Sequence, residues 1–380
     1  MARLIHLAAY PNTHAGSFIP FVRAVLAKAA ERGWDTAAVF PPGVEESEWR
    51  ADLEALGTEL YFVPPERRAA TGWLRGALRA GDGPVAVHTH FTGYDLGAAI
   101  AARGVPDAHV YWHVHTVLSE AAGTRLANRV KFSLVGPRLD GIFTPAADVA
   151  AELVRRGAPA AKVEVVPNAI ETARFPLPAP GAKATARRDL DLPADAEVLL
   201  HFGRDWRIKG GDLFLDALAR LLAEGRPAWG LINQGGEAAA AAAAARDLGA
   251  RVRIVGVRSD PAELFHAADL LVSSSIGETM PFVVTEGLSS GLPVVASELA
   301  GHRYMAERVD NCVTVPSDPA ALAAAAARFL DRDPAETEAA ARRANEWIGE
   351  HLDVAEIAEL LFDRYARDLG IVAASEVGTR

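Results

Sequence analysis

Short apolar segments alternate with amphipathic segments along most of the chain. Residues 4–8 are apolar except for one histidine, which predicts a buried strand. Residues 17–31 have helical periodicity, and Gly33 follows as a stop signal. Further apolar runs predict strands at residues 36–40, 59–63, 85–88, 110–113, 141–144 and 163–166. Strands that alternate with helices over short connections predict a parallel sheet covered on both faces.

A second series with the same alternation begins near residue 198. The predicted strands lie at residues 198–202, 229–233, 251–255, 270–273, 294–296 and 313–315. The predicted helices lie near residues 211–223, 237–248, 261–267, 282–289, 319–330, 334–351 and 355–369. Residues 167–193 hold five prolines and little periodicity, so we interpret them as an interdomain connection. The fold class is therefore α/β, with two Rossmann-like domains and a ligand expected where the strands end.

Composition narrows the class of protein. The chain has 380 residues and a formal net charge of −10, which argues against a nucleic-acid partner but permits a local basic pocket. The one cysteine, Cys312, lies in an apolar run and reads as a buried strand thiol. No apolar stretch reaches the length of a membrane span. We expect a soluble, cytoplasmic protein; peripheral membrane contact and the oligomeric state stay open.

The first chemical signal is an acidic pair around a predicted helix start. Glu278 follows the apolar strand 270–273, Pro281 suits a first helical turn, and Glu286 lies within an otherwise apolar helix. Backbone N–H groups of Met280 and Phe282 at such a helix start favour an anion. A buried carboxylate needs a partner, and vicinal sugar hydroxyls are suitable ones. The alternative is that Glu286 belongs to a structural ion pair.

The second signal is a basic turn after the strand 198–202. Arg204 and Lys209 bracket this turn, and two cations there suit a pyrophosphate whose charge grows as it leaves. The alternative is an ordinary charged surface turn. Because both loops follow strands of one sheet, we expect them to open toward the same crevice.

The first half of the chain holds weaker signals. Gly16, in the loop after the first strand, permits close approach by a ligand. His88, His90, His113 and His115 follow two strands and are expected at one wall of the cleft. No carboxylate or cysteine accompanies them at ligand spacing, so we predict hydrogen-bonding histidines rather than a metal site.

These motifs, taken in order, resemble the retaining glycosyltransferases of family 4, which have the GT-B fold. Glu278 and Glu286 resemble the E-x7-E element of that family, and Gly203-Arg204 through Lys209-Gly210 resemble its G-R…K-G turn. Residues 166–170 are similar to the segment that closes its N-terminal domain. Residues 255–258 match the loop beside the nucleotide base. The resemblance spans nearly the whole chain.

The resemblance implies a role for each matching residue. Arg204 and Lys209 would bind the donor diphosphate, Glu286 the ribose hydroxyls and Glu278 the donor sugar. By the same resemblance, the candidate catalytic residues are His115, Arg204, Lys209 and Glu278. The candidate donor-binding residues are Gly16, Arg204, Lys209, Val257, Arg258, Glu278, Met280, Pro281, Phe282 and Glu286. His14, His90 and His113 are candidates for the acceptor side of the cleft, and His113 is the fallback for His115.

The same resemblance implies the domain plan. Residues 1–172 would form an acceptor-binding domain, 173–352 a donor-binding domain facing it across a central cleft, and 353–370 a helix that crosses back to the first domain. Residues 371–380 are expected to be a disordered tail. The sequence departs from the family at Thr279-Met280-Pro281, at Ala169 and in the first loop, which puts substrate choice rather than reaction class in question.

The implied reaction moves a hexose-like sugar from a nucleoside diphosphate, most often UDP, to an acceptor hydroxyl. No essential metal or other cofactor is expected. A nucleotide-sugar epimerase and a non-catalytic binder of nucleotide sugars are the alternatives. A dehydrogenase is disfavoured because no G-x-G-x-x-G follows the first strand. Polysaccharide, lipid-carrier and natural-product acceptors all remain open.

Overall fold

The computed structural model describes residues 1–115, 122–258 and 261–371. It contains two compact units, of which the first comprises Met1–Ala169 and the chain from Val354 onward, and the second Ile170–Asp353. Most of the predicted tail, residues 372–380, lies outside the described residues. Within them, no helix is both long and apolar enough to cross a bilayer.

The first unit contains a seven-stranded parallel sheet with the strand order β3-β2-β1-β4-β5-β6-β7. The strands are β1 Arg3–Ala8, β2 Asp35–Phe40, β3 Glu59–Phe62, β4 Val85–His90, β5 Ala108–His113, β6 Gly141–Thr144 and β7 Val163–Val165. The helices between them are α1 Phe18–Glu31, α2 Arg50–Glu54, α3 Arg67–Ala80, α4 Asp95–Ala101, α5 Ala122–Val135 and α6 Ala147–Arg155. The central strands are buried along nearly their whole length, as expected for a parallel sheet covered by helices.

The second unit repeats this plan with six parallel strands in the order β10-β9-β8-β11-β12-β13. The strands are β8 Glu197–Phe202, β9 Ala228–Asn233, β10 Val252–Val255, β11 Leu270–Ser273, β12 Val294–Ser297 and β13 Cys312–Val315. The helices are α7 Ala182–Asp189, α8 Gly211–Ala223, α9 Gly236–Ala244, α10 Ala262–Ala267, α11 Phe282–Ser289, α12 Ala300–Ala306, α13 Pro319–Leu330 and α14 Pro334–His351. Apolar clusters fill both faces of this sheet.

The last helix, α15 Val354–Asp368, belongs to the first unit. It packs along α1, and Glu359 pairs with Lys28 at 2.8 Å and with Arg32 at 3.0 Å. Its buried Tyr365 hydroxyl lies 2.5 Å from Nδ1 of His88. The chain therefore contributes this helix to the first unit after completing the second.

Two local predictions need correction. Residues 167–193 are not a plain connection, because α7 forms within them and packs against α10. The alanine-rich helix ends at Ala244 rather than Leu248, where turns replace it. The predicted helix 282–289 is confirmed as α11, and Pro281 is its N-cap residue. The helix α7 was missed because its apolar periodicity is weak, and the end of the alanine-rich helix was misplaced because helix ends depend on tertiary contacts.

Two local predictions are confirmed by the structure. Asp318 caps α13, since its Oδ1 accepts the backbone N–H groups of Ala320 and Ala321 at 2.9 Å. Cys312 is buried in β13, and burial raises the pKa of its thiol to about 12. The thiol is therefore a packing group in the ordinary pH range.

Candidate functional site

The predicted basic turn and acidic loop lie at the switch point of the second sheet. The connection from β8 leads to a neighbouring strand on one side, whereas β11 lies on its other side. In a doubly wound sheet, ligands bind beside the carboxyl ends of the two strands at this point. Residues 203–210, here called the β8 turn, and residues 274–281, called the β11 loop, follow these two strands.

Backbone and hydroxyl contacts fasten the β8 turn to the β11 loop. Ser274 Oγ donates to the carbonyl oxygen of Gly210 at 2.8 Å, and the backbone N–H of Ile276 donates to Ile208 at 2.8 Å. Gly210 has φ 68°, and a Cβ there would lie 1.9 Å from the Ser274 carbonyl oxygen. Only glycine permits this approach, so the two loops form one surface.

Lys209 and Glu278 form an ion pair across this joint surface. Their side chains are 24% and 17% exposed, so both charges are partly shielded from water. An ammonium group has three N–H donors, and one carboxylate does not exhaust them. Lys209 can therefore keep its partner and still donate to a phosphate oxygen.

The other predicted cation of the turn lies further out. Arg204 is exposed at the start of the β8 turn, next to Asp205, whose φ of 58° bends the backbone. The turn is closed by hydrogen bonds from Lys209 N to Asp205 O at 2.9 Å and from Gly211 N to Trp206 O at 3.0 Å. An exposed guanidinium beside a rigid turn suits a group that meets a ligand from solvent.

The helix α11 adds backbone donors and a buried carboxylate. Because α11 begins at Phe282, the N–H groups of its first turn point out of its amino end beside Glu278. Met280 is buried at 2% exposure and anchors the loop that leads to this turn. Glu286, just over one turn along the helix from Phe282, is 8% exposed. A carboxylate at this burial requires polar partners.

A further element that the sequence analysis missed supports the β11 loop from behind. Gly301, in α12, packs so closely that a Cβ would lie 1.8 Å from the carbonyl oxygen of Thr279. The neighbouring His302 is buried and bonds Ser273 Oγ at 3.0 Å and the Ser297 carbonyl oxygen at 2.7 Å. Since a carbonyl oxygen only accepts, Nδ1 of His302 carries the proton and Nε2 accepts from Ser273. The signal available in the sequence was a glycine and a histidine just after a short apolar strand.

The predicted base-side residues follow the edge strand β10. Val257 is 51% exposed, and Arg258 pairs with Glu263 at 2.7 Å. The backbone nearby is held by Asn233 Nδ2, which donates to the carbonyl oxygen of Gly256 at 2.8 Å. An exposed apolar side chain beside an anchored backbone is suited to contact with a flat ring.

In the first unit, the loop between β1 and α1 carries the predicted Gly16 and His14. Gly16 has φ 54°, and a Cβ there would lie 3.2 Å from the Tyr10 hydroxyl. Both residues are exposed. Tyr10 Oη donates to the His14 carbonyl oxygen at 3.1 Å, which keeps the loop compact.

The structure brings the four predicted histidines of β4 and β5 together and adds one that was missed. His88 pairs in register with His6 of β1, and His90 with His113 of β5. The imidazole of His115 stacks on that of His113, with 3.9 Å between ring centroids. His6 lies two residues before the end of β1, on the strand next to β4, and it was noted in the sequence only as a polar interruption of an apolar run.

Burial keeps these five rings neutral. Desolvation lowers the pKa of His6 to about 3 and that of His115 to about 4. The pKa values of His88, His90 and His113 are also lowered, by desolvation first and then by neighbouring histidines. Neutral imidazoles offer one donor and one acceptor each, so they form directional hydrogen bonds.

Two triplets within this cluster bring one nitrogen from each ring within 4.8 Å, namely His6-His88-His90 and His90-His113-His115. Lone pairs on ring nitrogens lie in the ring plane, so two rings that share an ion do not stack face to face. His113 and His115 are inclined by only 18°, which aims their nitrogens side by side. The observed arrangement of His113 and His115 is therefore that of stacked imidazoles.

A surface cavity of about 830 Å³ lies at the opposite, amino-terminal edge of the first sheet. Arg3, Trp34, Tyr61 and Trp73 contribute to its lining. None of the predicted site residues is among those that line it. The switch points at the carboxyl ends of the strands, where the predicted residues do gather, are the better candidates on physical grounds.

Comparison with known protein families gives two matches. Residues 20–174 match the family described as Glycosyltransferase Family 4, and residues 196–332 match Glycosyl transferases group 1. The D-inositol 3-phosphate glycosyltransferase of Kineococcus radiotolerans is 35% identical over 161 residues, which are 39% of this chain and 37% of that protein. The chain thus spans little more than a third of that relative's length.

Solved structures with the same fold include proteins from Anabaena and from Thermosynechococcus elongatus. Anabaena HepE in complex with UDP and glucose superimposes with a TM-score of 0.81 and 18% identity, over 96% of this chain and 99% of that chain. Sucrose-phosphate synthase from Thermosynechococcus elongatus has a TM-score of 0.78 and 21% identity, over 97% and 100%. At these identities the similarity establishes the fold, which is GT-B.

A longer match establishes the family. The D-inositol 3-phosphate glycosyltransferase of Xylanimonas cellulosilytica is 30% identical over 306 residues, which are 74% of this chain and 71% of that protein. Both family matches fall within the two α/β units described above. The chain therefore belongs to the family 4 glycosyltransferases.

Proposed function

We propose that this protein transfers a hexose-like sugar from a nucleoside diphosphate sugar to an acceptor hydroxyl, with retention of the anomeric configuration. The observation that carries the proposal is the Lys209–Glu278 ion pair on the joint surface of the β8 turn and the β11 loop. This surface combines a cation, a carboxylate and the amino end of α11 at the switch point of the sheet. A diphosphate needs the cation and the helix end, and a sugar needs the carboxylate.

Each residue has a proposed role in this reaction. Lys209 and Arg204 donate to the diphosphate and stabilise the charge it gains on leaving. Glu286 accepts the hydroxyls of the ribose. Glu278 orients Lys209 and accepts from hydroxyls of the donor sugar, while Val257 and Arg258 lie beside the base.

The proposed chemistry balances without a protein nucleophile. The acceptor oxygen bonds to the anomeric carbon on the face that the phosphate leaves, as the bond from that carbon to the phosphate oxygen breaks. The departing phosphate takes the proton of the acceptor hydroxyl, and the nucleoside diphosphate is released. Preorganised cations supply the charge stabilisation, so we expect transfer without an added divalent metal.

UDP is the proposed nucleotide, supported by the UDP named in the Anabaena HepE complex. The relatives named above act, by their names, on D-inositol 3-phosphate, which makes a phosphorylated polyol the first acceptor to test. A thermal-shift screen of UDP, GDP and ADP would identify the base, because a ligand that binds only the folded state raises Tm.

The decisive assay follows UDP release from UDP-glucose with and without acceptor, with NMR of the anomeric proton in the product. We expect release only with acceptor, a product with the anomeric configuration of the donor, and loss of activity in Lys209→Ala and Glu286→Ala. Unchanged activity in both variants would refute the proposal. Conversion of the donor sugar without acceptor would instead identify an epimerase, and tight binding without turnover a binding protein.

A further inference from the structure

Three of the buried histidines form a continuous hydrogen-bonded series. Nδ1 of His6 lies 3.0 Å from Nε2 of His90, and Nδ1 of His90 lies 3.0 Å from Nε2 of His115. Nδ1 of His115 lies 3.3 Å from Oδ1 of Asn168. We call His6, His90 and His115 the histidine chain. It runs from the interior of the sheet to the residue that the family resemblance places beside the donor sugar.

The two ends of the histidine chain determine where its protons lie. Oδ1 of Asn168 only accepts, so Nδ1 of His115 carries a proton and Nε2 of that ring must accept. Nδ1 of His90 then donates to His115, and Nε2 of His90 accepts from His6. The series ends at Nε2 of His6, a buried nitrogen without a hydrogen-bond partner among the described residues.

Hydrogen-bond donation in the opposite direction along the histidine chain is less stable. It would turn the amide of Asn168 and place a proton on Nε2 of His6, which would leave a buried N–H without an acceptor. A buried donor without a partner is rarer in proteins than an acceptor with an unused lone pair. When each ring donates in the direction from His6 to Asn168, the unpaired group is an acceptor, which costs less free energy than an unpaired donor.

We propose that His6 and His90 are positioning residues that hold His115 as the neutral Nδ1–H tautomer with both ring nitrogens engaged. His115 then offers neither a proton nor a lone pair to the reaction. It would contribute an oriented ring edge instead. The consequence for catalysis rests on the proposed function, whereas the tautomer does not.

Packing around the histidine chain supports a fixed geometry. The aromatic ring of Phe18 contacts both His90 and His115 edge-on, with centroid distances of 5.2 and 5.7 Å. Phe21 contacts His90 in the same way at 6.0 Å. His113 stacks on His115 from the other side. Rings enclosed in this way have little freedom to turn, so the hydrogen bonds alone select the tautomer.

NMR of the histidine ring nitrogens tests the proposal without any requirement for activity. In protein labelled with 15N-histidine, two-bond proton–nitrogen correlations show which nitrogen carries the proton, and His115→Gln identifies the signal of His115. We expect the Nδ1–H tautomer of His115 in the wild type. An Nε2–H tautomer, or a mixture of both, would overturn the proposal.

Substitutions at His90 separate positioning from packing. The amide nitrogen of Asn occupies nearly the position of Nδ1 of His, so His90→Asn keeps the donor to His115, whereas His90→Leu fills the space without a donor. We expect His115 to remain a single Nδ1–H tautomer in His90→Asn. In His90→Leu we expect His115 to be a mixture of the Nδ1–H and Nε2–H tautomers. His351→Gln, which replaces an exposed histidine in the second unit, is the control; it should remove only its own signal and leave the His115 signal and the rate unchanged. Retention of one tautomer in a folded His90→Leu would refute the role of His90.

Kinetics test the catalytic consequence. We expect His90→Leu to lower kcat roughly 10- to 100-fold, because small misplacement of a positioned group has effects of this size. In His90→Leu, KM for the donor should change less than about threefold, since the proposed diphosphate ligands lie in the second unit. His90→Asn should recover most of kcat. Equal kcat in all three proteins would overturn positioning while leaving sugar transfer intact. Absence of transfer in the wild type would instead refute the proposed function.

The same samples decide between hydrogen bonds and a metal ion. A metal-bound nitrogen carries no proton, so an ion on Nδ1 of His90 or Nε2 of His115 would break the histidine chain. We expect no change in the ring nitrogen signals of the apo protein when one equivalent of Zn²⁺ is added. Stoichiometric zinc binding that displaces the His90 and His115 signals, and is lost in His113→Phe, would overturn the proposal in favour of a metal site.

Discussion

Lys209 and Glu278 are 69 residues apart in the chain and form a half-buried ion pair at the switch point of the second sheet. Lys209→Ala should weaken UDP binding by roughly 10- to 100-fold, because a hydrogen bond to a charged group contributes about 1.5–3 kcal/mol. Isothermal titration calorimetry would measure the change.

The matched control is Lys183→Ala, whose ammonium group pairs with Asp269 in the same unit but is 49% exposed. A surface pair contributes little, so its UDP affinity should stay within about twofold. Equal losses in both variants would exclude a specific role for Lys209.

A methyl group at Gly301 should disturb the proposed donor site from behind. The Cβ of Gly301→Ala would meet the Thr279 carbonyl oxygen at 1.8 Å and Cα of Met280 at 2.5 Å, so the β11 loop has to move. We expect a loss of about 1–3 kcal/mol in stability, typical of overpacking, and at least 10-fold weaker UDP binding. Thermal unfolding and calorimetry measure the two effects. Gly349→Ala, in α14 with no atom within 4 Å of the added Cβ, should leave UDP binding unchanged. Wild-type affinity in Gly301→Ala would show that this contact does not support the site.

The buried histidines predict an acid-sensitive fold. The pKa is lowered to about 3 for His6 and to about 4 for His115 and His201, in each case chiefly by burial. Below pH 6.5 the unfolded chain takes up protons that the native rings do not bind, so the free energy of unfolding falls with falling pH. The slope is about 1.4 kcal/mol per pH unit for each such ring, and above pH 6.5 these groups have no effect. Lowering the pH from 7.5 to 5.5 should therefore reduce Tm by more than about 10 °C.

Single substitutions test the origin of that slope. His113→Phe removes a buried ring whose nitrogens both lack hydrogen-bond partners among the described residues. Its unfolding free energy should fall less steeply between pH 6.5 and 5.0, by the contribution of about one proton. His351→Gln removes an exposed ring and should leave the slope as it is. If Tm were flat across this range, burial of neutral histidines would not be the source.

Two neighbouring leucines of α15 test whether the packing of this helix stabilises the first unit. Leu361 is fully buried, whereas Leu360 is 52% exposed. Leu361→Ala should cost about 2–5 kcal/mol because it leaves a cavity. Leu360→Ala should change stability by less than about 0.5 kcal/mol. Urea unfolding of the two variants would measure the difference, and similar values would mean that α15 is not part of the cooperative fold of the first unit.

Elements of regular structure were predictable because their signals are local. Apolar runs bounded by turn residues located every strand of both sheets, and Asp318 before Pro319 located the start of α13. The weak periodicity of residues 182–189 did not predict α7, because only Ala186 and Arg187 of that helix are buried and its stability comes from packing on α10. The end of α9 depended on neighbours that the local pattern does not contain.

The candidate site was predictable only as two separate loops. Residue types and spacing indicated that Lys209 and Glu278 each follow a strand, but not that they pair with each other. His6 and Ser273 carried no local signal that distinguishes them from ordinary polar residues at strand ends, and the signal for His302 was only its place beside a glycine after a short apolar strand. Their partners are up to 84 residues away in the chain, so only the register of the strands reveals the contacts.

The sequence by itself determined the alternation of strands and helices, the α/β class, the family and the residue types that suit a nucleotide-sugar site. These properties depend on periodicity, turn chemistry and short motifs, which are local features of consecutive residues. Only the tertiary structure decided that α15 completes the first unit, that Gly210 and Gly301 lock the β11 loop in place, and that three histidines form a hydrogen-bonded series. Each of these depends on strand order and close packing between distant segments, and crossover connections bring such segments together in a way that no local pattern specifies.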